Sequence, residues 1–370
     1  MYDYVILDIG KIIIIRENKN VIYKKEINNN MVALTEIELR YVKELFKKDN
    51  SNIYYSDYLN EIIENNDSIM NNEPQYLLRF LNLLEKIVPE NYKNNYYDNL
   101  KTLQVNLNFD VIKNPPLEET FPKSSNLVEY NVIDNTIVFD KGNLLAFYNL
   151  SKTQGDPNAF FWKNINRIFL HELFHMASSK RNEKNNTYKC GITGNRALTE
   201  GMTELFTNSF VESANIQKSV YFIETAIVKQ LMCITGDDVF INSYFGNEDT
   251  SLIEGKLNIE TNNEDIIKTF NLLDTIEDSY CLRYDNHQQN LLGNIQSTII
   301  DYLDTSLTNN YKSPEEIKVI LDDFEKVLIT KEKLKENNPE NSDKYLDISK
   351  SVFKFYKLKE KYITKGVSKK

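Results

Sequence analysis

The chain has 370 residues, 41% of them hydrophobic, enough to bury one large core or two ordinary ones in a water-soluble fold. Its formal net charge of −10 excludes the clustered positive face on which phosphate-backbone binding depends, so nucleic acid is not an expected partner. Its three cysteines, Cys190, Cys233 and Cys281, are an odd number with no C-x-x-C pair, which fits idle thiols in a reducing compartment and not a disulfide framework.

The amino terminus, MYDYVILDIG, carries an acidic residue where a signal peptide needs positive charge, and Lys11 interrupts the apolar run. No run approaches the length of a membrane span, so a cytoplasmic protein is expected, with leaderless export left open. Residues 2 to 25 read as two or three short strands in an antiparallel meander, broken at Gly10 and at Asn18-Lys19-Asn20. Thr35-Glu36-Ile37-Glu38 has capping-box spacing and predicts a helix to about Lys48. Helices follow over 56–65 and 74–88, the second with Leu77, Leu78, Phe80, Leu81, Leu84 and Ile87 as an apolar stripe. The Asn-rich stretches read first as loops, and 108–125, with Pro115, Pro116 and Pro122, reads as a linker.

Beyond that linker, NLVEYNVI and TIVFDK flank Asp134-Asn135, a two-residue hairpin turn by composition. Asp156-Pro157 then opens a helix with Asp as cap and Pro at the first helical position. On a helical wheel Ile165, Phe169, Leu173 and Met176 fall within about 60° of Trp162, whereas His171 and His175 fall roughly opposite. Leu170, Phe174 and Ala177 broaden the apolar coverage, so this helix is expected to be buried on most of its surface. Buried imidazoles need polar partners, and a metal ion supplies one.

His171-Glu172-Leu173-Phe174-His175 has the spacing for that purpose. Residues four apart stack about one turn above each other, so His171 and His175 grip one ion from a single helix face. Glu172 lies one position round, able to reach a water on the metal without binding the metal itself, as a general base requires. Residues 180–196, polar and with Gly191 and Gly194, read as a loop, after which ALTEGMTELFTNSF resumes helical periodicity. Glu200 follows His175 by 25 positions, room for a loop and an antiparallel return helix. A catalytic zinc commonly takes three protein ligands and keeps one position for water, and Glu200 completes that set with His171 and His175. Glu204, one turn on, is placed to accept the free ring N–H of a ligand histidine, His171 by preference.

His171-Glu172-x-x-His175 followed by Leu198-Thr199-Glu200-Gly201-x-x-Glu204 resembles the gluzincin metallopeptidases. Their aminopeptidase branch has N-E-G-x-x-E in the second helix; Thr199 stands here in place of Asn, and the interval after His175 is longer. Ser178 and Arg181 occupy the places of the Gly and third His of the metzincin extension, which excludes that branch. The resemblance implies a zincin-like core, a single Zn2+ and hydrolysis of peptide bonds in a peptide or protein substrate, with Glu172 taking a proton from water and delivering it to the leaving amine. An oxyanion donor is also implied; Tyr188, Tyr221, Tyr280, Tyr284 and His287 are all open for that role, and among 23 tyrosines none is singled out. His287 reads equally as an ordinary surface or core histidine, and Cys190 as a plain thiol with reach to the metal as its other option.

After Gly236, a helix stop signal, helices are expected over 265–278, 287–307, 314–329 and 344–361. The last twenty residues carry seven lysines against Glu360 alone, either a solvated helix and frayed tail or a weak contact for an acidic partner or membrane surface. The expected whole is an α+β, predominantly helical protein. It comprises a β-meander with helices over 1–120, a zincin-like metallopeptidase domain with a small antiparallel sheet before the metal helix over 121–310, and a helical extension over 311–370. The competing reading is a non-catalytic interaction protein with a structural or vestigial metal site.

Overall fold

The computed structural model describes residues 2–7, 12–17, 20–26, 57–71, 75–106, 127–139, 157–182, 184–210, 221–257, 268–275, 291–309, 313–337 and 348–367. The helix expected over 35–48, the linker expected over 108–125 and Cys281 lie outside these residues. The described chain is α+β and predominantly helical, and it divides into two compact units, Met1–Cys190 with Ser209–Glu212, and Gly191–Asn208 with Ser213–Lys370. No described helix is long and apolar enough to cross a membrane.

The first unit opens with the expected meander, β1 (Tyr2–Leu7), β2 (Ile12–Glu17) and β3 (Asn20–Glu26), antiparallel in that order. Helices α1 (Asp57–Glu64), α2 (Asp67–Asn71), α3 (Gln75–Ile87) and α4 (Lys93–Thr102) follow, and Leu81, Leu84 and Ile87 of the apolar stripe on α3 are buried. A second sheet takes β4 (Gln104–Asn106), β5 (Val128–Asn131) and β6 (Thr136–Phe139) in the order β4-β6-β5. β5 pairs with β6 antiparallel, as expected, but β4 joins β6 in parallel, so this sheet is mixed.

The β5–β6 turn is longer than its composition suggests. Asn131 pairs with Thr136, leaving a four-residue loop in place of a two-residue turn at Asp134-Asn135. Asn131 Oδ1 accepts from the Ile133 N–H and so folds the loop locally, while Asn135, at a left-handed φ of 53°, turns inward. Asn135 is fully buried and its amide donates to the Asn99 carbonyl at 2.7 Å and to Thr102 Oγ1 at 2.8 Å. A long-range hydrogen-bond demand on Asn135 has overridden the local turn preference.

Helix α5 (Pro157–Ala177) begins on Pro157 as expected and runs 21 residues. Ile165, Phe169, Leu170, Leu173, Phe174, Met176 and Ala177 are all buried, and Phe169 meets Phe80 of α3 edge to face with ring centroids 6.2 Å apart. A helix covered this fully cannot leave its last carbonyls to water, and α4 supplies the partners. Asn99 Nδ2 donates to Met176 O at 3.0 Å and to Ser179 O at 2.7 Å, and Asn95 adds a second donor to Ser179 O.

The stretch expected as a loop from Lys180 onward instead begins with a hairpin, β7 (Ser179–Asn182) and β8 (Thr187–Cys190), antiparallel with Ser179 opposite Cys190. Asn186 supplies the left-handed φ of 53° that the turn needs, and its side chain accepts from Tyr188 Oη. Tyr130 Oη, bonded to Asn135 and to Ser179 Oγ, ties β5 to this hairpin.

The second unit is helical: α6 (Arg196–Phe210), α7 (Phe222–Thr235), α8 (Asp237–Gly246), α9 (Ser251–Leu257), a helical stretch at 268–275, then α10 (Leu291–Asn309), α11 (Pro314–Val327), α12 (Lys331–Asn337) and α13 (Ile348–Val367). Gly236 ends α7 with a φ of 88°, the stop its position predicts. Gln296 on α10 organises the interior: its amide donates to Ile329 O and Ser351 Oγ, and its carbonyl accepts from Ile329 N–H and from Gln230. Three lysines of α13 face acidic neighbours, Lys354 with Asp301, Lys361 with Asp304, and Lys359 with both Asp322 and Glu325. That part of the basic carboxyl-terminal segment therefore spends its charge holding α13 against α10 and α11.

Replacing Asn99 by Ala removes one donor from each of the Met176 and Ser179 carbonyls, leaving them to Ser179 Oγ and Asn95 respectively. The expected cost is about 1–3 kcal/mol in urea denaturation, against less than about 0.5 kcal/mol for the exposed Lys101→Ala.

Candidate metal centre

Both histidines of α5 are inside the protein, His171 at 6% and His175 at 8% exposure. Four residues apart on one helix, their rings meet edge to face with centroids 4.9 Å apart, and their Nε2 atoms face each other across 3.2 Å. That leaves the Nδ1 side of each ring pointing away from the shared space. At His175 it is occupied, because Cys190 Sγ lies 3.5 Å from Nδ1.

Glu172, half-buried between them in sequence, is anchored from the sheet. Its Oε2 accepts the backbone N–H of Tyr130 at 2.9 Å. Tyr130 lies on β5, which among the described residues is an outer strand of its sheet. One carboxylate oxygen is thus fixed by a main-chain donor, which sets the orientation of the group. The Tyr130 side chain is half-buried, and its loss of solvent raises the hydroxyl well above the usual phenol value, so it serves as a neutral hydrogen-bonding strut.

Glu200 is carried by α6, whose start is capped by Asn195: its Oδ1 accepts the Leu198 N–H at 2.8 Å. Asp274 Oδ1 accepts the Ala197 N–H at 2.9 Å, adding negative charge where the helix dipole favours it. Thr199 donates to the carbonyls of Ile192 and Asn195 and accepts from the Ile192 N–H, lacing the preceding loop to α6. Gly191 in that loop has a φ of +58°, and a Cβ there would meet Thr199 Cγ2 at 2.4 Å. Gly201 has a packing reason of its own: a Cβ on it would lie 2.7 Å from the Glu224 carbonyl oxygen and 2.8 Å from Val228 Cγ2 on α7. The glycine beside Glu200 lets α6 and α7 approach backbone to backbone.

The ligand atoms of His171, His175 and Glu200 all lie within 4.8 Å of one another. Two imidazole nitrogens and a carboxylate oxygen at such spacing form a donor set that could hold a metal ion. Glu204 is fully buried and accepts from Asn208 Nδ2 at 3.1 Å. Of the oxyanion candidates, Tyr188 donates to Asn186 Oδ1 on the β7–β8 hairpin, and Tyr221 precedes α7, its carbonyl accepting from Thr225. Tyr280, Tyr284 and His287 lie outside the described residues.

Two contacts of this site are not marked by any motif. The Tyr130 N–H is a main-chain group and carries no side-chain signature. Cys190, expected as a plain thiol or one with reach to the metal, instead meets His175 Nδ1 because a hairpin stands where a loop is expected, although the alternation in Thr187-Tyr188-Lys189-Cys190 after Asn185-Asn186 is a hairpin signal. No family model matches this chain, and no curated protein or solved structure matches it significantly.

Gly201→Ala forces α6 from α7 and is expected to lower stability by about 1–3 kcal/mol. Gly255→Ala, on α9 with open space around the added methyl, is expected to be neutral or to stabilise by up to about 1 kcal/mol. Thermal unfolding of the two variants side by side checks the contrast.

Proposed function

We propose that this protein is a zinc-dependent peptidase of the gluzincin type on a zincin-like core, with His171, His175 and Glu200 as the metal ligands and Glu172 as the general base. The observation that carries the reading is the mutual approach of those three ligand atoms within 4.8 Å, with the Glu172 carboxylate on the same helix as two of them. Three protein ligands leave coordination space for a reactant, whereas a purely structural zinc is normally closed by a fourth residue.

Zinc bound by these ligands supplies Lewis acidity, lowering the pKa of water and polarising a carbonyl. Glu172 supplies the proton traffic. With Oε2 accepting the Tyr130 N–H, the oriented carboxylate would take a proton from the attacking water and pass it to the departing amine nitrogen. β5 offers a further element of the reading. An extended substrate laid along an outer strand exchanges main-chain hydrogen bonds with the groups that strand still offers beside Tyr130, independent of side-chain identity. Such a segment runs past Glu172, because Tyr130 on that strand touches it. A peptide is the substrate class with both the extended backbone and the scissile carbonyl.

The test is metal content followed by two variants. Metal-replete protein is expected to hold about one equivalent of zinc, and less than about half an equivalent contradicts the reading. Glu172→Gln, whose amide oxygen still accepts from Tyr130, is expected to keep the zinc and to lose hydrolysis of a mixed peptide library by about 10²–10⁴-fold or more. Glu200→Ala is expected to lose the zinc itself. Parent-level activity in Glu172→Gln overturns the base assignment, and activity confined to small non-peptide amides overturns the substrate class.

A further inference from the structure

The hairpin that follows α5 returns Cys190 to the helix it has just left. Ser179, two residues beyond the end of α5, stands opposite Cys190 in the β7–β8 ladder, so the strand pairing itself sets where the thiol arrives. It arrives at His175 and makes two contacts there. Cys190 Sγ is 3.5 Å from His175 Nδ1 and 3.4 Å from the His175 carbonyl oxygen, both within hydrogen-bond range for sulfur. That carbonyl is in the last turn of α5, where helical partners run out, and Ser178 Oγ also donates to it at 3.1 Å. Ser178 Oγ lies 3.8 Å from Cys190 Sγ, so the thiol has a polar neighbour as well as the ring.

The two contacts have opposite polarity. A carbonyl oxygen only accepts, so the thiol proton is directed to the His175 carbonyl. The sulfur lone pairs then face Nδ1, and the only favourable partner for them is an Nδ1–H. A neutral imidazole with its proton on Nδ1 has its free lone pair on Nε2, the atom that faces His171 Nε2 at 3.2 Å. Cys190 lies behind the ring and not at the shared Nε2 side, which sets aside the option of this thiol reaching the metal.

We propose that Cys190 is a positioning residue for the metal centre, its thiol fixing the His175 tautomer and ring orientation that present Nε2 to the ion. The inference rests on the reading of His171, His175 and Glu200 as metal ligands. Partners of the outer nitrogen of a ligand histidine are usually carboxylates or carbonyls; here a thiol, poised by a main-chain carbonyl, does the same work.

The experiment measures zinc affinity by chelator competition on the full chain, with thermal unfolding of the metal-free form as a control for folding. Cys190→Val keeps an apolar side chain of similar bulk and removes both hydrogen-bonding functions; it is expected to weaken zinc binding about 10–100-fold while leaving metal-free unfolding close to that of the parent. Cys190→Ser restores a donor and acceptor and is expected to bind zinc within about threefold of the parent. Equal affinities in the parent, Val and Ser proteins overturn the inference while leaving the metal site standing, whereas a parent that binds no zinc overturns the site itself. Should Cys190→Val fail to fold, nitrogen-15 shifts of the ring nitrogens in the zinc-loaded parent decide the matter. With only three histidines in the chain they are assignable, and a proton on His175 Nδ1 with zinc on Nε2 is expected. Zinc on His175 Nδ1 overturns the proposal.

Discussion

Two imidazoles buried one turn apart on a helix that is apolar on its other faces impose the constraint around which the first unit is organised. Neither ring is accessible enough for water to satisfy it, so each polar nitrogen needs a partner inside the protein. The inward pair of nitrogens is brought to 3.2 Å, within hydrogen-bond distance of each other, and the outer nitrogen of His175 is met by Cys190. Everything that fixes α5 axially and rotationally serves that arrangement. Phe169 packs on α3, Asn99 holds the helix end, and β5 takes hold of Glu172 through a main-chain N–H. A small rotation of α5 would disturb all of these contacts together.

Asparagine does much of the holding. An Asn-rich composition read first as loops, yet Asn66, Asn99, Asn135, Asn195 and Asn247 are buried. Asn66 spans α2 and the end of α4 by accepting from Ile69 N–H and donating to the carbonyls of Leu100 and Leu103. Asn195 caps α6 and at the same time donates to Phe270 O. Each of these side chains satisfies main-chain groups at a helix end or chain reversal, where regular secondary structure cannot, and carries both a donor and an acceptor with which to do it. Burial decides which of the asparagines become structural.

Much of this was legible because it depends on local periodicity. The spacing of His171 and His175, the burial pattern of α5, its start at Pro157, the stop at Gly236 and the antiparallel pairing of β5 with β6 all follow from intervals shorter than about two helical turns or one hairpin. The choice of Glu200 needed only a helix whose place in the chain could be read from its own pattern. What could not be read was set by partners far away in sequence. β4 joins β6 in parallel across a long connection, and Asn135 abandons a tight turn because Asn99 and Thr102 draw it inward. Gly201 was visible as part of a motif, but its reason, the carbonyl of Glu224 at backbone-contact distance, lies on another helix. The hairpin at 179–190 was hidden by polar residues on both of its exposed strands, and with it the thiol that reaches His175.

The central claim is that two imidazoles and one carboxylate hold a single zinc with a coordination position left over. X-ray absorption at the zinc edge of the metal-replete protein tests it most directly, because it reads the donor atoms themselves. The account predicts two imidazole nitrogens at about 2.0–2.1 Å with the remaining donors oxygen at about 2.0–2.2 Å, and no sulfur. A sulfur shell at about 2.3 Å, or a shell with only one imidazole, would contradict it.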